Sequence, residues 1–191
     1  MEVDKNLTSY IIGVALGDGN LSIPNGRATR LRITCDSKYP DIAEEITLSL
    51  KKIFPKNKVS IVAGPRNTYF NISVYSNRLN EIIPWKVGAG SKFEQDVSVP
   101  DWIKIDKELS RNCLRGLLQT DGSVYADRGY LMVNFTNNTL SLANDVMEIM
   151  TTLGYSPKLY IASQKSIHPK YTVRLSKRTE DFVRHIGLYK S

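Results

Sequence analysis

Residues 10–22 read YIIGVALGDGNLS, and residues 113–125 read CLRGLLQTDGSVY. Each stretch is an apolar run that ends in an Asp-Gly pair, Asp18-Gly19 in the first and Asp121-Gly122 in the second. A short apolar run that ends in glycine is typical of a helix and its C-terminal end. Two such stretches about 100 residues apart indicate an internal repeat.

The repeat extends beyond these two helices to most of the chain. LRITCDSKYPDIAEEI (31–46) corresponds to LMVNFTNNTLSLANDV (131–146), and FNISVYSNRLNEII (70–83) corresponds to YTVRLSKRTEDFV (171–183). In each copy, stretches that alternate apolar and polar residues predict strands, and stretches with helical spacing predict helices. The order predicts two copies of an αββαββ unit, each closed by a short terminal helix.

The segment between the two copies, residues 85–109, contains Gly88, Gly90 and Pro100. These residues interrupt regular structure and predict a linker or an irregular crossover. We therefore predict a first repeat over residues 1–84 and a second over 110–191. Five apolar side chains predict that the linker packs against the body of the protein: Trp85, Phe93, Val97, Val99 and Trp102.

Composition excludes several classes of protein and favours a polyanionic partner. The chain has 26 Lys and Arg against 19 Asp and Glu, a formal net charge of +7, which suits nucleic acid but is also found in ordinary basic proteins.

Cys35 and Cys113 form no C-x-x-C pair and cannot build a disulfide framework. The sequence shows no signal or transit peptide and no apolar run long enough for a membrane span. We expect an intracellular protein of a prokaryote or an organelle, without a membrane partner.

The predicted strands carry a polar face with almost no carboxylates. Alternate residues of a strand share a face, and here that face offers hydrogen-bond donors suited to base edges and phosphates. The alternative is an ordinary solvated sheet surface. The residues predicted to contact DNA are Arg30, Arg32, Asn71, Ser73, Tyr75, Tyr125, Asn134, Thr172, Arg174 and Ser176.

Small residues four apart, Gly13 with Gly17 and Gly116 with Thr120, predict that the two apolar helices pack closely against each other. If they pair about a pseudo-two-fold axis, the carboxylates that follow them meet at one end. Because two adjacent carboxylates repel each other, a divalent cation is their natural counter-charge, and hard oxygen ligands favour Mg²⁺. The backbone carbonyls of Gly17 and Thr120 are further candidate ligands. A metal between carboxylates and phosphates is common in phosphodiester cleavage.

IIGVALGDG (11–19) and LRGLLQTDG (114–122) resemble the two motif helices of the LAGLIDADG homing endonucleases, in a single-chain, two-motif form. The resemblance implies an α+β fold of two pseudo-symmetric αββαββα repeats. In that fold the motif helices lie at the centre and antiparallel sheets form a DNA-binding saddle. It also implies a monomer that uses Mg²⁺ or Mn²⁺ in intron homing. Such an enzyme makes a staggered double-strand break with 3′ overhangs in a long, asymmetric DNA target.

Carried over to this sequence, the resemblance makes Asp18 and Asp121 the metal-binding catalytic acids, and Lys177 matches a basic position of the family. The sequence departs from the family where some relatives have a Gln-Lys pair, since it has Cys35-Asp36 in one copy and Thr136-Asn137 in the other. Two alternatives remain open. One is an intron-encoded RNA maturase that binds its host intron RNA, and the other is a DNA-binding relative that has lost cleavage.

Overall fold

The computed structural model describes residues 4–161 and 169–188. Two repeats follow each other, with the short helix α4 (Asp101–Lys104) between them. The first repeat comprises α1 (Lys5–Asp18), β1 (Gly19–Ser22), β2 (Arg30–Asp36), α2 (Pro40–Ile53), β3 (Val59–Ala63), β4 (Tyr69–Tyr75) and α3 (Leu79–Ile82). The second comprises α5 (Lys107–Asp121), β5 (Gly122–Asp127), β6 (Tyr130–Asn137), α6 (Leu140–Thr152), β7 (Lys158–Ile161), β8 (Tyr171–Leu175) and α7 (Thr179–Ile186). The predicted α+β architecture with two αββαββα repeats is confirmed.

Each repeat contributes one four-stranded antiparallel sheet, in the order β1-β2-β4-β3 and β5-β6-β8-β7. The strand registers of the two sheets correspond. Gly19 pairs with Ile33 in the first sheet, and Gly122 pairs with Phe135 in the second. Counting two residues onward along β2 and β6 places Cys35 and Asn137 at equivalent positions.

Helices α1 and α5 form the centre of the molecule, and their backbones touch. A Cβ atom added at Gly13 would lie 2.0 Å from the carbonyl oxygen of Cys113, and one added at Gly116 would lie 2.5 Å from the carbonyl oxygen of Tyr10. Both neighbours are main-chain atoms that cannot move aside without bending a helix. Glycine is therefore required at these two positions, as the small-residue spacing predicts.

The outer helices α2 and α6 cover the apolar faces of the sheets. Their periodic apolar residues are buried or, at Leu153, half-buried, as their helical spacing predicts: Ile42, Ile46, Leu50 and Ile53 in α2, and Leu142, Val146, Ile149, Met150 and Leu153 at α6. No helix within the described part of the chain is long and apolar enough to cross a membrane.

The segment predicted as a linker is more ordered than its composition suggests. Helix α5 begins at Lys107, inside the predicted linker, because the carboxylate of Asp106 accepts hydrogen bonds from the backbone N–H groups of Glu108 and Leu109. Trp85, Val97 and Val99 are buried and Phe93 is half-buried. Trp102 is 38% exposed, so it is the least buried of the five apolar residues.

Candidate active site

The two motif helices end side by side. A Cβ atom added at Gly17 would lie 2.0 Å from Oγ1 of Thr120, so these two residues face each other across the helix pair. Asp18 and Asp121 are the next residues of the two helices and close them at the same end of the molecule. The C-terminal end of a helix carries a partial negative charge, so this end of the pair concentrates negative charge and favours cations.

A lysine from the inter-repeat segment already lies at this place. The ammonium group of Lys92 donates hydrogen bonds to three backbone carbonyls in the last turn of α1: that of Ala15 at 3.2 Å, that of Leu16 at 2.7 Å and that of Gly17. Its nitrogen also lies 5.4 Å from the ring centroid of Trp85. The Gly17 carbonyl, a candidate metal ligand, thus accepts a hydrogen bond from the ammonium group, and the ligand roles of the Gly17 and Thr120 carbonyls stay predictions.

Opposing electrostatic influences act on Lys92. Burial lowers the pKa of its ammonium group below the usual value for lysine, while the negative charges of Asp121 and Asp18 raise it, and burial outweighs them. Both acids therefore lie within electrostatic reach of one buried cation. Sequence reasoning missed Lys92, because a single lysine in an irregular segment has no periodic or motif signal that we recognised.

The two acids have different neighbours on the adjacent strand. Asn137 donates a hydrogen bond from Nδ2 to Oδ2 of Asp121 at 2.7 Å, and its Oδ1 accepts one from the backbone N–H of Thr139 at 2.9 Å, which holds the amide in one orientation. Cys35 occupies the equivalent position in the first repeat. Burial, helped by the charge of Asp18, raises the pKa of its thiol to about 12, so that side chain stays neutral at physiological pH.

A cavity of about 300 Å³ opens beside Asp18. The residues that line it include Asp36, Gln119 and Thr120, with no lysine or arginine among them. Oxygen donors of this kind suit a hydrated divalent cation. Within residues 4–161 and 169–188, no group of three or more His, Cys, Asp and Glu side chains could hold a metal by itself. Mg²⁺ is usually bound by one or two carboxylates together with water and substrate phosphates, so Asp18 and Asp121 fit that mode.

The strand register bears on the predicted catalytic role of Lys177. Tyr171, at the start of β8, pairs with Asn137, which contacts Asp121. Lys177 follows the opposite end of β8, about 20 Å further along at roughly 3.3 Å per residue. Lys177 thus follows the end of β8 that is remote from this contact, and its catalytic role stays a prediction, whereas Lys92 lies within electrostatic reach of both acids.

The residues predicted to contact DNA lie on the solvent-facing sides of the two sheets. Several of their apolar neighbours along the strands are fully buried, among them Leu31, Ile33, Val133 and Val173. The ten predicted residues are half-buried or exposed: Arg30, Arg32, Asn71, Ser73, Tyr75, Tyr125, Asn134, Thr172, Arg174, and Ser176 just beyond the end of β8. Whether they contact DNA stays a prediction.

Comparison with known proteins agrees with this geometry. Residues 108–187 match the model of a family described as the LAGLIDADG-like domain. The structure is similar to that of I-DmoI in complex with DNA and Mn, with a TM-score of 0.70 and 20% identity over 95% of this chain and 96% of that chain. It is also similar to full-length DUF199/WhiA from Thermatoga maritima, with a TM-score of 0.67 and 13% identity over 97% of this chain and 56% of that chain.

No curated protein matches the chain in sequence. At these identities the structural matches show the fold, while the family match identifies the second repeat directly. The first repeat has the same order of elements and the same type of motif helix, packed against that of the second repeat. Residues 108–187 thus form a LAGLIDADG-like domain, and the chain as a whole, with its two motif helices, has the fold of these solved structures.

Proposed function

We propose that the protein is a homing endonuclease that hydrolyses one phosphodiester bond in each strand of a specific DNA site with the help of a divalent metal. The observation that carries this proposal is the meeting of Asp18, Asp121 and Lys92 at one end of the central helix pair. Structures of the similar protein I-DmoI contain DNA together with Mn or Ca, or target DNA in the presence of Mg.

In this proposal Asp18 and Asp121 would hold the metal. When bound, a divalent metal neutralises phosphate charge and makes water a nucleophile near neutral pH. Lys92, whose three ammonium hydrogens are donated to carbonyls of α1, contributes its fixed positive charge, which stabilises the negative charge that grows on the phosphate oxygens in the transition state. Asn137 keeps the carboxylate of Asp121 in one orientation.

The polar faces of the two sheets suggest that the target is asymmetric. Arg32 pairs with Ser73 in the first sheet, whereas Asn134 pairs with Arg174 at the equivalent position of the second. The arginine is therefore on a different strand in each repeat. Because the two faces offer different donors, the two halves of the DNA site would differ in sequence. This supports a monomer that acts on a non-palindromic site.

The main experiment offers the purified protein a randomised DNA library in Ca²⁺, recovers the bound sequences and then replaces Ca²⁺ by Mg²⁺ or Mn²⁺. We expect cleavage of both strands with staggered 3′ ends, and no cleavage in EDTA. Since Asn137 and Cys35 make the two centres unequal, a nicked intermediate should accumulate. Sequencing the ends of the products checks the overhang.

A second candidate is a binding protein of the same fold that does not cleave DNA. The observation in its favour is that the fold is also similar to DUF199/WhiA, so it is not restricted to homing endonucleases. Specific DNA binding without cleavage in either metal would support this candidate. Stimulated folding of a host intron RNA, with no DNA cleavage, would support the maturase alternative.

Lys92 is expected to contribute strongly to cleavage and little to DNA binding. Lys92→Met should slow cleavage about a hundredfold or more, the size of effect expected when a preorganised electrostatic group is removed from an active site. Lys92→Arg keeps the positive charge and should retain more activity. Single-turnover cleavage rates and filter-binding affinities measure the two effects, and an unchanged rate in Lys92→Met would contradict the role of this residue.

The pH dependence of cleavage offers a second measurement on the same variants. Because burial lowers the pKa of Lys92, the wild-type ammonium group loses its proton at a lower pH than an exposed lysine. Cleavage should therefore decline on the alkaline side below the usual range for lysine. In Lys92→Arg this decline should move to higher pH, because arginine stays protonated.

A further inference from the structure

Four side chains form a continuous network across the polar face of the second sheet, one from each strand. Arg174 on β8 donates a hydrogen bond from Nε to Oδ1 of Asn134 on β6 at 3.2 Å. Asn134 donates from Nδ2 to the hydroxyl of Tyr125 on β5 at 3.0 Å. On the other side, the guanidinium carbon of Arg174 lies 5.6 Å from the ring centroid of Tyr160 on β7.

Two contacts position the guanidinium group of Arg174: the hydrogen bond from its Nε and the aromatic ring of Tyr160. Its Nε is engaged by Asn134, whereas Nη1 and Nη2 have no hydrogen-bond partner in the described parts of the chain. An arginine that is already positioned loses less side-chain entropy when it binds a ligand. The free edge of the group thus presents two donors from a preorganised side chain.

The first sheet has no equivalent of this network. The strand registers place Ser22, Arg32, Ser73 and Val62 at the positions of Tyr125, Asn134, Arg174 and Tyr160. None of the four is an aromatic residue, and the arginine is on the other central strand. In the first sheet Arg30 donates from Nε to Oγ of Ser22 at 3.2 Å. Among the described strand residues, an arginine held both by such a hydrogen bond and against an aromatic ring is found in the second sheet.

We propose that Arg174 reads a guanine in the half of the DNA target that the second repeat contacts, and that Asn134 positions it for this contact. In the major groove, guanine presents N7 and O6 as two adjacent acceptors, which match two donors of one guanidinium group. Asn134 acts through Arg174, because its amide nitrogen donates to Tyr125 and its amide oxygen accepts a hydrogen bond from Arg174. This inference rests on the proposed binding of specific DNA.

The test compares binding-site selections from a randomised DNA library in Ca²⁺ for the wild type, Arg174→Lys, Asn134→Ala and Arg32→Lys. Wild-type protein should enrich a motif with an invariant guanine in one half. In Arg174→Lys the preference for that guanine should fall roughly ten- to a hundredfold, the discrimination that one bidentate pair provides, with the rest of the motif unchanged. Asn134→Ala should weaken the preference at the same position to a smaller extent.

The control Arg32→Lys, on the first sheet, should leave this guanine position unchanged. If Arg174→Lys weakens binding equally for all sequences, Arg174 contacts a phosphate and the inference is wrong. An unaltered motif in Arg174→Lys would likewise overturn it, while the proposed function would stand. If the wild type enriches no motif at all, specific DNA binding fails, and the inference fails with it. Thermal unfolding confirms that each variant is folded.

Discussion

Replacing either Asp18 or Asp121 by asparagine is expected to slow DNA cleavage at least about a thousandfold, because a metal ion and the carboxylate that holds it contribute several kcal/mol to the stabilisation of the transition state. The amide has nearly the same shape as the carboxylate but lacks its charge. Each variant should therefore fold and bind its DNA at least as tightly as the wild type, since a negative charge near the phosphates has been removed.

Cleavage of a plasmid that contains the selected site measures this effect, because supercoiled, nicked and linear forms separate on a gel. The matched control is Asp41→Asn, which removes an exposed carboxylate from the outer helix α2 and should retain full activity. Full double-strand cleavage by both Asp18→Asn and Asp121→Asn would exclude the proposed mechanism. Loss of binding in either variant would instead assign the acid a structural role.

The second large effect is expected on stability, from Gly116→Ala. Alanine normally stabilises a helix by roughly 1 kcal/mol relative to glycine. Here the added methyl group would lie 2.5 Å from the carbonyl oxygen of Tyr10 and 2.6 Å from the backbone nitrogen of Val14. The central helices would have to separate, so we expect a loss of about 3 kcal/mol or more in the free energy of unfolding, at the upper end of overpacking effects.

Urea denaturation followed by circular dichroism measures this loss. Gly13→Ala should behave similarly, because its methyl group would meet the carbonyl oxygen of Cys113. Lys107→Ala, in the exposed first turn of α5, is the control and should change stability little. If Gly116→Ala were more stable than the wild type, the close approach of α1 and α5 would be incorrect. Separation of the helices would also move Asp18 away from Asp121, so cleavage should fall with stability.

Local patterns in the sequence were sufficient for the architecture. The repeated Asp-Gly pairs and the matching order of periodicities predict two copies of one unit, and Gly13 and Gly116 predict the close helix pair. These signals are reliable because helix and strand periodicities reflect which face of an element is buried. The start of α5 was placed too late because the signal for it is the single side chain of Asp106.

Contacts between distant segments limited what the sequence could predict about the candidate site. Lys177 was assigned from a motif resemblance. Asn137, which contacts Asp121, pairs with Tyr171 at the start of β8, whereas Lys177 follows the other end of that strand. Lys92 comes from a segment with no regular structure and reaches the end of α1 only because the chain folds back there. Its position within electrostatic reach of both acids is a property of the packed molecule.

The sequence by itself determined the duplication, the order of helices and strands, and the two acids that end the motif helices, because each of these depends on neighbouring residues. Only the tertiary structure decided which cation lies beside the acids, that Asn137 contacts Asp121 while Cys35 takes its place beside Asp18, and that Arg174 is held between Asn134 and Tyr160. The physical reason is that these contacts join residues far apart in the chain, and they form only when strand register and helix packing bring the side chains within a few ångströms of each other.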